Sequence, residues 1–513
     1  MKRFAGLPPP SRTLNVVVLL LSSFCLSSCS LMPMYERPSM PVEAEWPDVP
    51  KLIYDGENSS LLLRSQRVDQ MTSTDQSSVD LGWKDFFLDD RLRALIKLGL
   101  ENNRDLRIAV TRIEQARAQY GVRVGQQFPD ISATIQDVTT SLPQSMRTIG
   151  TEAVSSSFLG GASLNSFQLD LFGRLRSLSE AAFQNYLATA EAGRNVRITL
   201  ISETAKAYFY LRMTELTLEV TNQTLQSRRE SYAVVQRRFA AGVASELDLN
   251  QARTLVDAVI ANLTQYARQR TQAVNALTYL VGRTIPADLP QATPFTEDPL
   301  IREIPPGLPS SLLNRRPDIR GAERQLMAAN ANIGSARAAF FPDISLTGLL
   351  GTNSVNLSGL FKSGAYYWSI APNLSVPLFN GGTLWANLDL AKATNLEMVS
   401  QYEKSIQTAF KEVADALAGE ATYGTEIQAL VANQEASRKT LELSVMRYKW
   451  GIDTFLQSQI AQLTYLNAQL NLITTRYNAL ANRINLYTAL GGGWAQTEQE
   501  RSVLIEPATA LTH

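Results

Sequence analysis

From residue 144 to residue 285, and again from residue 378 to residue 506, the chain contains no proline. Proline removes a backbone donor and breaks a helix interior, so each run is free to be one continuous helix. The stretch from Arg174 to about Phe239 predicts a single helix of some 65 residues, roughly 100 Å long at 1.5 Å per residue. No compact globule holds such a helix. The ordinary inference from 513 residues to several compact domains therefore fails, and an elongated repeat architecture is expected.

The repeat is visible directly. Phe128-Pro129-Asp130-Ile131-Ser132 returns 213 residues later as Phe341-Pro342-Asp343-Ile344-Ser345. A proline excludes the preceding residue from helical geometry, and the residues that follow alternate apolar and polar as strands do. Return strands are predicted through Phe167, Leu169 and Leu171, and through Trp368, Ile370, Leu374, Val376 and Leu378, where Pro372 and Pro377 are awkward for a central strand. Gly242 and Gly451, 209 residues apart, are the stop signals of the two long helices. After Gly242, Ser245 and Asp248 resemble a capping start. The following helix has a heptad on Leu249, Val256, Leu263 and Leu277, with Ala252, Val259, Tyr266, Ala273 and Leu280 as companion seam. The last helix places Leu456, Leu463, Leu470, Tyr477 and Ile484 on one seam and Leu466, Ile473, Leu480 and Tyr487 on the other.

Each half thus reads as shorter helix, strand pair, long helix, second shorter helix. The expected segments are a signal peptide over 1–28, an extended proline-rich segment over 29–88, a first repeat over 89–283 with strands at about 128–173, a linker over 284–309, a second repeat over 310–490 with strands at about 341–380, and a tail over 491–513. The shorter helices are expected as unbroken runs from Asp89 to Gln127 and from Leu312 to Ala339.

Basic residues, an apolar run from Leu14 through Leu26 and then small residues make the N-terminus a secretory signal. Leu26-Ser27-Ser28-Cys29 resembles a bacterial lipobox, with Cys29 the expected lipidation site; Ser30 after it favours the outer membrane. The mature chain then has no second cysteine and no intrachain disulfide. Whether the segment after Cys29 is a free tether or lies along the body is open at this level. Lysine plus arginine equals aspartate plus glutamate at 48 each, so charge points to no nucleic-acid partner. The single histidine is His513, which leaves histidine-assisted nucleophiles and ordinary zinc sites without ligands. No segment after the signal holds eighteen consecutive apolar residues, so strands are the expected means of crossing a membrane. Four strands cannot close a barrel when the smallest single-chain barrels have about eight; three chains would supply twelve. The alternative from another class is a structural or adaptor-like coiled-coil lipoprotein without a pore.

Five motifs in order, Asp170-Leu171-Phe172-Gly173-Arg174, Leu313-Asn314-Arg315-Arg316-Pro317-Asp318-Ile319 with Ala322-Glu323, Phe341-Pro342-Asp343-Ile344-Ser345, Pro377-Leu378-Phe379-Asn380-Gly381-Gly382 and Ala489-Leu490-Gly491-Gly492-Gly493-Trp494, resemble the TolC-like outer-membrane factors, in particular the lipidated NodT subgroup of efflux lipoproteins. The resemblance implies a mainly α protein with a small β part, a homotrimer with a twelve-stranded transmembrane β-barrel and a periplasmic helical barrel. It implies passive conduction rather than catalysis, no cofactor beyond the covalent lipid on Cys29, and as partners a periplasmic adaptor and an inner-membrane pump. Arg238, Gly242, Arg447 and Gly451 match the helix tips at which adaptors engage. Leu456 falls at the family's apolar constriction, and Ile460 stands where relatives commonly carry an aspartate, with Asp453 or Asp248 as the nearest source of charge. Arg315, Arg316 and Asp318 read as helix-start chemistry.

Overall fold

The structure is a computed structural model that describes residues 30–47, 49–55, 60–66, 82–147, 154–295, 299–301 and 309–492. Cys29, the signal peptide and the tail from residue 493 lie outside the described residues. In chain order the elements are β1 Val49–Asp55, β2 Ser60–Gln66, α1 Trp83–Phe86, α2 Asp90–Asn102, α3 Arg104–Gly125, β3 Ile131–Ser141, β4 Val154–Leu169, α4 Arg174–Ala240, α5 Glu246–Val281, α6 Leu312–Arg315, α7 Pro317–Ala338, β5 Asp343–Ser354, β6 Tyr366–Ser375, α8 Thr383–Lys449 and α9 Phe455–Ala489. The proline-free runs become α4 and α8, each 67 residues long. Two compact units divide the chain at Pro38, Arg112, Thr189, Gly321 and Tyr402, so α3, α4, α7 and α8 contribute residues to both.

The first unit holds the sheet, antiparallel in the order β3-β4-β5-β6. β6 is an edge strand, which is where Pro372, opposite Leu346, is tolerated. The register gives the sheet two unlike faces. Ile131 and Ile135 share a face with Leu164, Leu350, Trp368, Ile370 and Leu374. The opposite face is built largely of hydroxyls and amides, where Ser163 bonds Ser132 and Thr134 at 2.8 Å each and Ser157 donates to Asn353 at 3.0 Å. Within the four strands only Asp137, on the apolar face, and Asp343, at the first residue of β5, carry charge. A bulge between Leu164 and Phe167, with Ser166 at φ 45°, switches the parity of β4. That is why the alternation legible at Phe167 and Leu169 does not continue upstream. The strands end at Leu169 and Ser375, so Leu171, Val376 and Leu378 fall in the connections that follow.

Those connections have their own chemistry. The Asp170 carboxylate accepts from the Leu175 and Arg176 amides at 3.1 and 2.9 Å, capping α4. The duplicated motif closes both preceding helices identically: Phe128 donates to the Gly125 carbonyl and Phe341 to that of Ala338. Residues Leu31–Arg37 lie antiparallel along α7. The Arg337 guanidinium reaches the Leu31 carbonyl, Asn330 that of Pro33, and the buried Glu323 carboxylate takes the Tyr35 hydroxyl at 3.1 Å and Arg37 Nε and Nη2 at 2.6 and 2.8 Å. Gly334 is needed there, since a Cβ would stand 2.8 Å from the Met32 Cα. An extended chain at roughly 3.3 Å per residue keeps pace with two residues of helix at 1.5 Å each. This part of the N-terminal segment is therefore laid along the body.

In the second unit the expected Asp89–Gln127 helix is broken at Asn103, which leaves helical geometry, caps α3 through Leu106 N at 3.0 Å and donates to the Leu280 carbonyl of α5 at 2.9 Å. The second copy is likewise broken, at Arg316, before Pro317. Arg316 is buried, grips both Asp318 oxygens at 3.0 and 2.6 Å, meets Glu412 at 2.7 Å and donates to the Ala489 carbonyl at 3.0 Å. Arg316 thus ties the motif at 313–319 to Ala489 at the end of α9, and Asp318 stands in the first turn of α7, as helix-start chemistry predicts. Phe86 stacks on Tyr487 with centroids 4.0 Å apart. Among the described residues no helix is long and apolar enough to cross a membrane.

Gly161 and Gly351 face each other across β4 and β5, and a Cβ on Gly351 would collide with the Gly160 carbonyl and stand 2.6 Å from the Gly161 Cα. At Gly348 a Cβ would meet the Ser369 carbonyl at an ordinary 3.6 Å. Gly351→Ala is therefore expected to impair sheet formation and Gly348→Ala to be tolerated, a contrast read by far-ultraviolet circular dichroism and by yield of membrane-inserted protein.

Candidate functional site

The end of the helices that carries Gly242 and Gly451 gathers most of the predicted site residues. Both glycines take φ near +70°, at +72° and +75°, a region closed to most side chains. Each closes its helix with the same pair of bonds: Gly242 and Val243 donate to Phe239 and Arg238, and Gly451 and Ile452 to Tyr448 and Arg447. The next helices start on caps. Ser245 and Asp248 form a full capping box, and the Thr454 hydroxyl accepts from Gln457 N. The expected start at Ser245 is thus observed.

The two turns belong to one cluster. Val235, Ala252 and Phe455 are buried together, with Tyr232, Leu249 and Tyr448 packed against them. Arg238 donates to the Tyr448 hydroxyl at 3.0 Å and lies 5.5 Å from its ring centroid, a cation–π contact. Arg447 occupies the equivalent position in the second repeat and does something else, holding both Asp453 oxygens at 2.7 and 3.2 Å. The first repeat has Ala244 where the second has Asp453. Without that carboxylate, Arg238 turns to an aromatic ring of the other repeat. Sequence reading placed both arginines at the tip but missed Tyr448 and Phe455 as what joins the turns; the signal was aromatic residues three before and four after Gly451.

Leu456 and Ile460 are exposed, at 55% and 50%, and with exposed Leu463 they form an apolar stripe on α9. Within this chain the first seam is buried only from Ile484, whereas Leu466, Ile473, Leu480 and Tyr487 are buried throughout. Near the tip, then, the first seam is not packed inside its own chain. Asp453, the nearby candidate charge, is already engaged by Arg447, and Asp248 by its cap. Arg228, on α4 beside the Ser227 that accepts from Gln462 of α9 at 2.8 Å, was not foreseen. It is 3% exposed, its Nε and Nη1 have no hydrogen-bond partner among the described residues, and burial pushes its pKa down to about 10. An arginine in a long helix is ordinarily solvated, so nothing in the sequence marks it. No group of three histidine, cysteine, aspartate or glutamate side chains among the described residues could hold a metal ion.

A family model described as outer membrane efflux protein matches residues 95–283 and 308–492. The chain is 42% identical over 473 residues to the solvent efflux pump outer membrane protein SrpC of Pseudomonas putida, covering 92% of this chain and 97% of that one. It is 41% identical over 492 residues to the outer membrane protein OprJ of Pseudomonas aeruginosa, covering 95% and 97%. Its structure matches the open state of the Neisseria gonorrhoeae MtrE outer membrane channel with a TM-score of 0.79 at 37% identity, over 91% of this chain and all of the other.

The hydrogen bond from Arg447 holds the Asp453 carboxyl below its usual range. A depressed carboxylate stabilises the fold above its unfolded pKa, about 3.9, and loses that contribution as pH falls through the folded value. Wild-type is expected to unfold later than Asp453→Asn in guanidinium at neutral pH, with the gap closing in acid. Arg228→Met is expected to stabilise by about 1–3 kcal/mol, since it removes unsatisfied buried donors; the unfolding midpoint in the same denaturant reports it.

Proposed function

The chain belongs to the outer membrane efflux protein family, and from that premise we propose that three copies assemble into the gated exit duct of a tripartite pump in the outer membrane. What supports this reading most is the two-faced sheet with two unpaired edges. Lipid accepts an apolar face but not open strand edges, and three copies would join twelve strands edge to edge with the apolar face outward and the hydroxyl-lined face around a pore. The helices carry the duct into the periplasm, where the tip bearing Arg238, Gly242, Arg447 and Gly451 docks a periplasmic adaptor linked to an energy-supplying inner-membrane pump. The duct itself hydrolyses nothing.

Leu456 and Ile460 are the proposed aperture. Their exposure in the single chain leaves them free to meet their copies at a three-fold axis, where isoleucines seal by packing and dewetting rather than by charge. Asp453 is assigned to the tip clasp rather than to an acidic ring. The cargo proposed is small apolar molecules, the kind for which the solvent-pump relative is named, together with drugs. Cys29 is the proposed lipid anchor, in the manner of the NodT lipoproteins, with the docked strap at Leu31–Arg37 leading from it.

Reconstituted in planar bilayers, the protein is expected to show single-channel conductance that rises when Ile460 is replaced by a smaller residue. Ile460→Asp is expected to add cation selectivity and divalent block. Unchanged selectivity and block in that variant would remove the aperture assignment, and absence of conductance in wild-type and both variants would remove the pore.

A further inference from the structure

The connection between β5 and β6 does not stand clear of the sheet. Leu360 is buried, and its Cδ2 lies 3.1 Å from where a Cβ on Gly160 would stand, with Ile135 Cγ1 at 4.0 Å from the same point. Gly160 pairs with Ile135 and Thr352, so this is the apolar face. Gly359 presses on Ser354, which shares that face through its pairing with Phe158, and the Asn356 amide donates to the Ser354 hydroxyl at 3.3 Å. The loop is therefore folded back over the outside of the sheet rather than across its polar side.

Two further properties fit it for an apolar medium. Part of its backbone is bonded within itself: Gly359 donates to Asn356, Leu360 to Leu357, Lys362 to Gly359 and Ala365 to Lys362, and the Ala365 carbonyl takes the Asn353 amide. Internal satisfaction of this kind is what hydrocarbon demands of a backbone. Its outer surface is apolar, with Val355 72%, Leu357 61% and Phe361 89% exposed. Between Asn353 and Tyr366 the only charge is Lys362. The level is also marked, because Tyr366 pairs with Thr352 and Trp368 with Leu350, and exposed aromatic rings on the lipid side of a barrel form girdles at the interface. Asp137, opposite Phe158, lies just beyond them, at a depth suited to headgroups.

We propose that the β5–β6 loop is a membrane-inserting element, which folds outward over the apolar face and places Leu357 and Phe361 among the acyl chains of the outer leaflet, with Lys362 extended to headgroup phosphates. The occupant follows from continuity: the loop extends the same face that the sheet turns to lipid, and its one charge complements phosphate. This rests on the reading of the sheet as part of a membrane barrel.

The test uses the full chain in vesicles of phosphatidylcholine and phosphatidylglycerol, with an environment-sensitive fluorophore on Phe361→Cys and, separately, on Ile370→Cys in the sheet. The unsubstituted chain treated with the same reagent gives the background. Quenching of the Phe361 probe by acyl-chain nitroxide lipids to the extent seen at Ile370, with loss of quenching by aqueous iodide, is the expected result. If Ile370 is quenched by the lipid and Phe361 by iodide alone, the loop projects into water and the proposal is overturned. Quenching of Phe361 by neither means that a second copy covers the loop, which also overturns it. If neither probe responds to the lipid, the barrel reading itself fails. A Leu357→Ser, Phe361→Ser double variant is further expected to keep wild-type conductance, whereas a lid over the pore would raise it.

Discussion

Everything in this molecule depends on where the two edges of a four-stranded sheet find hydrogen bonds. Among the described residues β3 and β6 each have one edge with no strand paired to it, and in hydrocarbon each unsatisfied backbone group costs several kcal/mol. A sheet of this kind has no stable existence in lipid as a monomer. In the proposed trimer membrane crossing and self-association are one event, and the long helices take the symmetry that the closing strands impose.

The two repeats share a backbone plan and diverge in side chains, and the divergence lies where function is proposed. Gly242 and Gly451 make the same turn with the same two bonds, yet one repeat places Asp453 six residues after its arginine and the other places Ala244. One turn is thereby clasped on itself and the other leans on its partner through Tyr448. Two differences in a duplicated frame, Ala244 against Asp453 and Phe239 against Tyr448, make of two equivalent turns a lock and a bracket.

Much of this was legible in the sequence because helices advertise themselves by what they lack. Proline-free runs gave α4 and α8 nearly to the residue, and glycines with left-handed backbone marked their ends. Of the heptad positions, Ala252, Val259, Ala273, Leu277, Leu466, Ile473, Leu480, Ile484 and Tyr487 are buried within the chain, whereas Leu456 and Leu463 are exposed. The misses have a common cause. The break at Asn103 depends on a carbonyl of α5, the bulge at Ser166 on pairing with β5, the docked strap on Glu323, and the burial of Arg228 on helices distant in sequence. Local pattern carries no record of such partners, so an arginine in a long helix reads as solvated wherever it stands.

The scarcity of charge in the strands bears on what can pass. Beyond Asp343 at its rim, the polar face of β3–β6 offers mainly hydroxyls, amides and the bare backbone of Gly161 and Gly351, with Val138, Leu159 and Leu349 among them, and no carboxylate, lysine or arginine. A wall of that composition is electrically silent. It can wet a passing solute of either sign or of none without holding it, and it supplies no fixed charge by which the sheet could sort one solute from another.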